Sequence, residues 1–309
     1  MKHFTNVSAQ KVSWVKSNKD LLEANNGIEN LYYPETTEEL REFINSLNTT
    51  HEDYDLIGHS SNTLFLPSYH IKHLICTKYL KNFSEDTDYI YCECGVPVSI
   101  LSKYAVDKGY KGFEGLCDLP GTIASGVYGN CGCFGCTVLE LVESFTLLGN
   151  DGTEKTLSVA DLKPTFRSTS LKRGELKGVI ISVKLKKVLG QVDEIKRLAQ
   201  QAHDKRKATQ PTGANNLGST FNGGQKATFK GYLFKLVLLC MSKVYRHKLQ
   251  RDYLPMVLAI FGRSQYSPYL WNWGRWMFYD EKSYELFPKY YEFLKTLFKD
   301  IRLEIEIKK

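Results

Sequence analysis

Between Gly112 and Gly135 the chain reads GFEGLCDLPGTIASGVYGNCGCFG, and seven of its 23 glycines fall within these 24 residues. Glycine is a poor choice for the interior of a helix or strand, so such density needs a cause. Either the backbone turns sharply several times, or it comes close to a ligand and offers it N–H groups. The Leu119-Pro120-Gly121-Thr122 step, followed by Ala124, Ser125 and Gly126, suits the second cause. A run of exposed amides beside hydroxyls makes an anion-binding concavity that fits a pyrophosphate. On local composition alone, a purely structural glycine-rich loop explains the same residues.

The wider sequence bounds the answer. With 309 residues, 42% of them hydrophobic and 13% aromatic, the chain is long and apolar enough for two or three domains with cores. A formal charge of +7 suits an anionic partner, such as a nucleotide, a nucleic acid or an acidic membrane surface. No apolar stretch reaches spanning length and the first residues lack the apolar core of a signal peptide, which points to the cytoplasm. The eight cysteines are then expected as thiols. Cys131, Cys133 and Cys136 invite a metal, but no second C-x-x-C pair or histidine cluster stands near them, and small buried residues are the preferred reading.

In chain order, Thr36 and Glu39 form a capping box for a helix whose Leu40, Phe43, Ile44 and Leu47 share a face. A strand over 54–57 runs into Gly58-His59-Ser60-Ser61-Asn62-Thr63-Leu64. Residues 74–76 and 90–94 read as strands, and a helix opens at Pro97 and stops at Gly109. Gly149-Asn150-Asp151-Gly152 turns a hairpin, and the strand 179–185 places Val179, Ile181, Val183 and Leu185 on one face. A helix from Val192 to about Lys205 aligns Ile195, Leu198, Ala199 and Ala202. The segment 229–262 is apolar and basic together; it is expected to pack into its own domain, with a peripheral membrane or protein contact as the alternative. Trp271, Trp273 and Trp276 read as a local aromatic core, with a binding platform as the alternative. A helix over 284–298 and a strand over 301–307 end the chain. Mixed strands and helices in this order make an α+β protein.

LPGTIASGVYGNCGCFG, preceded by Gly112, Glu114 and Leu116, resembles the flavin-contacting signature of the UDP-N-acetylenolpyruvoylglucosamine reductases, which belong to the p-cresol-methylhydroxylase-type FAD proteins. The Gly58–Leu64 stretch resembles the family's G-G-G-S-N-L-L pyrophosphate loop, with His59 and Ser60 where the family has glycines. In the cysteine run, two cysteines take the place of alanines. The resemblance covers residues 30–225 well; the entry motif of the family compares only loosely with 18–27. It implies a two-lobed FAD-binding domain (1–85 and 86–205) followed by a divergent substrate lobe (206–309). It implies FAD on Gly58, Ser60, Ser61, Asn62, Thr63, Pro120, Gly121, Thr122, Ser125, Gly126, Asn130, Gly132 and Ile180, and NADPH as the reductant. Non-covalent FAD is what the family implies.

Catalytic roles follow from the same resemblance. Arg167, in TFRSTSLK, matches the family's Y-R-x-S-x-F-K and would hold a carboxylate; Ser219, in GSTF, would donate the proton; Glu306, in LEIEI, would stabilise the intermediate. The implied reaction is reduction of an enolpyruvyl sugar nucleotide, a small-molecule substrate rather than a nucleic acid. Phe166 replaces a tyrosine, Asn222 a lysine and Asn215 a proline, so a paralogue acting on another sugar of a surface glycan stays open. So do a flavin oxidase of an alcohol on the same scaffold and a non-catalytic binding protein.

Overall fold

The computed structural model describes residues 1–8, 27–66, 68–211, 216–246 and 248–308. The comparison at 18–26 and the Asn215 substitution lie outside them. The backbone divides into two compact units: the first ends at Gln210 and excludes Asn62–Leu66, which belong with Pro211–Lys308 to the second.

The first unit holds two sheets. One has the order β1 (Lys2–Ser8), β2 (Gly27–Tyr33), β5 (Ile71–Cys76), β3 (Tyr54–Ile57), with β1 antiparallel to β2 and the other pairs parallel. Helix α1 (Thr37–Thr49) starts after Thr36, with half of the expected capping box: the Glu39 amide donates to Thr36 Oγ1 at 3.1 Å, while the Glu39 carboxylate accepts from the Glu35 amide. It buries Leu40, Ile44 and Leu47 against Ile75 and Leu80. The second sheet runs β11 (Glu154–Leu157), β10 (Val142–Leu148), β12 (Val179–Lys186), β7 (Tyr89–Glu93), β6 (Phe83–Glu85), all antiparallel. Helices α2 (Val98–Asp107), α3 (Ile123–Gly129) and α4 (Val192–Thr209) complete the unit.

Three expectations change here. The single buried face of β12 is broken by a register shift in its pairing with β10, where Thr146 opposes Ser182 and Leu147 opposes Ile180. The bulge turns Ile181 with Val179 toward Leu40 and Ile44, while Ile180, Val183 and Leu185 pack with Phe145 and Ile90. On α4 only Ile195 is buried and Leu198 is exposed, so the inward stripe is narrower than its apolar residues suggest. The helix also runs through 205/206, where the sequence places a boundary, and the units divide after Gln210 instead.

In the second unit, β4 (Thr63–Phe65) pairs in parallel with β17 (Glu306–Lys308), and β13 (Phe221–Asn222) pairs with β16 (Arg302–Leu303). The tryptophan segment forms β14 (Leu270–Asn272) and β15 (Arg275–Trp276). Trp276 is fully buried, with Tyr269, Phe287 and Tyr290 ring centroids 5.1–5.8 Å away, so it is core. The expected single segment 229–262 is two helices, α5 (Phe229–Val244) and α6 (Gln250–Ile260), and α7 (Glu281–Leu297) packs on α5.

Gly231 makes that last contact possible, since a Cβ there would lie 2.0 Å from the Leu297 carbonyl oxygen. Asp300 fixes the chain before α5: its carboxylate accepts from the amides of Gly224, Gln225 and Lys226. Desolvation pushes the Asp300 pKa up, but these backbone donors outweigh it and the net shift is down. Gly231→Ala should cost about 1–3 kcal/mol by overpacking, read from the denaturant midpoint. A lowered carboxylate pKa gives stability that is present above the unfolded value and lost as pH falls through the folded one. Asp300→Asn should therefore flatten the acid limb of the stability profile below the usual aspartate range, measured by thermal melts against pH.

Candidate flavin and substrate site

Local chemistry builds the first part of the site around Thr122. It is the N-cap of α3, accepting from the Ser125 amide at 3.3 Å, while Ser125 Oγ accepts from the Thr122 amide at 3.0 Å. Gly58 presses against this cap: a Cβ on Gly58 would sit 2.6 Å from Thr122 Oγ1. Ser61 Oγ and Ser125 Oγ flank Gly121, 3.3 and 3.2 Å from where a side chain would start, and Gly121 has φ +108°. The structure thus brings together Gly58, Ser61, Gly121, Thr122 and Ser125. Pro120 is exposed beside them, and Gly126 packs on Val138 beneath them.

The expected run of exposed amides over 121–126 is corrected. The Ile123 amide donates to Val96 O, that of Ala124 to Cys94 O, that of Ser125 to Thr122 Oγ1 and that of Gly126 to Thr122 O. In these two loops the amides of Gly58, His59, Ser61, Asn62 and Gly121 donate to no acceptor among the described residues. An anion here would be held by the first loop and Gly121, with Ser61 Oγ beside them. His59 is exposed, yet surrounding protein desolvates its ring and lowers its pKa, and the charge of Lys78 lowers it further. The loop therefore offers dipoles rather than a cation at neutral pH.

A second group gathers at the C-terminus of α3. Asn130 caps the helix in the left-handed region at φ 48° and its side-chain amide donates to Thr165 O at 2.8 Å. Thr169 Oγ1 donates to Tyr128 O at 2.6 Å. Between these anchors Arg167, at φ 55°, donates from Nη1 to Asn130 O at 3.3 Å and from Nη2 to Gly132 O. Arg167, Asn130 and Gly132 thus share one corner. Phe166 beside them is 72% exposed. Ile180 stands apart: its side chain is buried in the core of the second sheet, so only its backbone could face a ligand.

The cysteines of the same region are occupied. Cys133 and Cys136 face each other across the hairpin of β8 (Gly132–Cys133) and β9 (Cys136–Thr137). Cys133 Sγ donates to Gly115 O at 2.8 Å and accepts from Arg206 Nη2 at 3.2 Å, while Cys136 Sγ accepts from the Gly115 amide. Desolvation raises both thiol pKa values, which keeps them protonated.

The other candidates lie in the second unit. Asn62 Nδ2 donates to Glu304 O at 3.2 Å, and the Glu306 amide donates to Asn62 O at 2.9 Å. Thr63 opposes Glu306 in the β4–β17 ladder. Ser219 enters the same corner because the Glu304 amide donates to Thr220 O at 2.9 Å. Its hydroxyl is exposed and makes no hydrogen bond among the described residues. Gly218, at φ +79°, turns the chain before it, and its amide donates to Asn216 Oδ1. The sequence reading passed over Arg275, which is 8% exposed on β15 directly beside the 219–220 backbone. An arginine inside the aromatic run WNWGRW was the available signal.

Because Gly58 touches the Thr122 cap, Gly58→Ala should displace the loop while leaving the sheets intact. Flavin retention after gel filtration should fall at least about tenfold with an unchanged far-UV circular dichroism spectrum, since added bulk in a close-packed contact moves its neighbours.

Comparison with known proteins bears on the family and the fold. Residues 28–158 match the family described as FAD binding domain. The chain is 31% identical over 214 residues to the UDP-N-acetylenolpyruvoylglucosamine reductase of Petrotoga mobilis, covering 65% of this chain and 67% of that protein. It is 29% identical over 192 residues to that of Fusobacterium nucleatum, covering 60% of this chain and 64% of the relative. The structure of the Thermus caldophilus enzyme of that name superposes with a TM-score of 0.65 at 19% identity, over 91% of this chain and 92% of that one. The α+β fold is therefore that of the Thermus caldophilus reductase, and the chain belongs to the UDP-N-acetylenolpyruvoylglucosamine reductase family.

Proposed function

We propose that this chain is an FAD-dependent reductase that carries hydride from NADPH to the enolpyruvyl group of a sugar nucleotide. The carrying observation is the Gly58–Thr122 contact, beside which the amides of Gly58, His59, Ser61 and Gly121 donate to no acceptor among the described residues, in a chain of this family. That donor set fits a pyrophosphate. Ser60, Asn62 and Thr63 would continue the first loop, and Pro120, Ser125 and Gly126 would wall the second. Asn130, Gly132 and the backbone of Ile180 would complete the flavin contacts. When bound, FAD accepts hydride from NADPH and passes it to the substrate. Eight free thiols suit a reducing compartment, and we place the reaction in the cytoplasm.

The chain's own work is positional and electrostatic. An enolpyruvyl ether that receives hydride at its terminal carbon gathers negative charge on the adjacent carbon and carboxylate. Arg167 would hold that carboxylate; its two carbonyl contacts fix the guanidinium in orientation. The Ser219 hydroxyl would deliver a proton to the adjacent carbon, and Glu306 would steady the charge that builds there. Phe166, exposed on the Arg167 turn where the family has tyrosine, and Asn222, where it has lysine, favour a related enolpyruvyl sugar as a second reading.

The test is an anaerobic flavin titration. NADPH should bleach the flavin, and UDP-N-acetylglucosamine enolpyruvate should restore its colour. Bleaching without recovery would support the related sugar instead. A protein that takes up no flavin on reconstitution would remove the catalytic reading. Ser219→Ala should leave bleaching by NADPH within about twofold while slowing recovery about 10²–10⁴-fold, the usual range for a lost proton donor. Equal recovery in the variant would exclude Ser219 from that role.

A further inference from the structure

Helix α5 turns its more apolar side away from the protein. Gly231, Phe234 and Leu238 are buried, whereas Phe229, Tyr232, Leu233, Leu236, Leu239 and Val244 are exposed, Phe229 at 89% and Val244 at 74%. At about 100° per residue, the six exposed positions fall on one stripe roughly 140° wide, opposite the buried face. Lys230 and Lys235 stand at its two margins and Lys243 within it. The Lys230 ammonium lies 5.4 Å from the Phe293 ring centroid and that of Lys235 lies 5.3 Å from Phe298, so both stems run along the protein beside the stripe. The close contact of Gly231 with Leu297 leaves the helix no freedom to roll the stripe inward.

A continuous apolar stripe of this kind marks a surface that something covers. Charge indicates what. Residues 225–251 contain seven of the 41 lysines and arginines and no aspartate or glutamate, leaving 34 basic against 34 acidic residues in the rest of the chain. The whole excess charge of the protein is therefore concentrated on α5 and the residues flanking it. A second copy would set two such segments against each other, which like charge opposes. An anionic bilayer meets both halves of the pattern, with acyl chains for the stripe and phosphates for its lysine margins. No described helix is long and apolar enough to cross a membrane, so α5 would lie along the surface. We infer that α5 is a peripheral anchor that docks this protein on anionic lipid headgroups. The inference stands independently of the reaction, because it uses none of the residues assigned to flavin or substrate.

Vesicle flotation of the full chain tests it. The protein should float with mixed phosphatidylcholine–phosphatidylglycerol vesicles, stay behind with phosphatidylcholine alone, and detach in high salt. Leu236→Glu and the pair Lys230→Glu with Lys243→Glu should each lower partitioning about tenfold or more, with unchanged melting midpoint and flavin content. Cys240 is the exposed cysteine and lies on the stripe, so an environment-sensitive dye there should shift to the blue on binding. Failure to float with anionic vesicles would overturn the inference. So would full flotation by Leu236→Glu, or a dimer that Leu236→Glu dissociates in a protein that ignores vesicles.

Discussion

Thr122 sets the geometry on which the first unit depends. Its side chain caps α3 on one side and meets the Gly58 backbone on the other. The amides that follow it are tied to Val96 and Cys94, and the Val98 amide donates to Gly121 O. Each such bond adds only about 1 kcal/mol net, so their importance lies in position more than in strength. Together they hold α3 against the 94–98 corner beside the second sheet. The loop leaving the first sheet is then placed by direct contact with the same threonine. A glycine at 58 is the condition for that contact, and amides with no acceptor among the described residues stand beside it.

The parts of this fold readable in advance are those decided locally. Thr36 and Glu39 announce α1, Gly109 ends α2, and Gly149–Gly152 turns the β10–β11 hairpin, each through neighbours in sequence. The flavin loops were legible as glycines and hydroxyls beside strands. Which of their amides remain unspent was not, because Ile123 and Ala124 donate to a different segment. The bulge at Ile181 depends on a mismatch with β10, and no pattern within 179–185 encodes it. The corner holding Asn62, Ser219 and Glu306 is assembled across a separation of 242 residues. For α5 the apolar periodicity was plain, but periodicity does not say which side of a helix is covered. Gly231, where the Leu297 carbonyl at the end of α7 meets the helix backbone, carries that information.

Backbone strain adds an independent line toward the same loops. Six described non-glycine residues have positive φ: His51, Ser60, Asn130, Phe134, Lys163 and Arg167. Three of them, Ser60, Asn130 and Arg167, are in the proposed flavin and substrate contacts. Asparagine tolerates this region, but for serine and arginine it costs roughly 1–2 kcal/mol. At Arg167 the two guanidinium bonds to Asn130 O and Gly132 O offset the cost. They also keep the side chain where a carboxylate would need it.

Ser60 is the more telling of the pair. It stands where the family loop has a glycine, and its φ of 48° keeps a conformation that glycine would adopt without penalty. The serine thus holds a backbone conformation that strains any residue but glycine or asparagine. A loop serving only to join β3 to β4 could relax into an ordinary turn and recover that energy. A strained path makes sense if the path itself has a job, which on the proposed function is to present the amides of His59 and Ser61 to a ligand. On that argument the strain at Ser60 and the unspent donors beside it both support the proposed ligand contact.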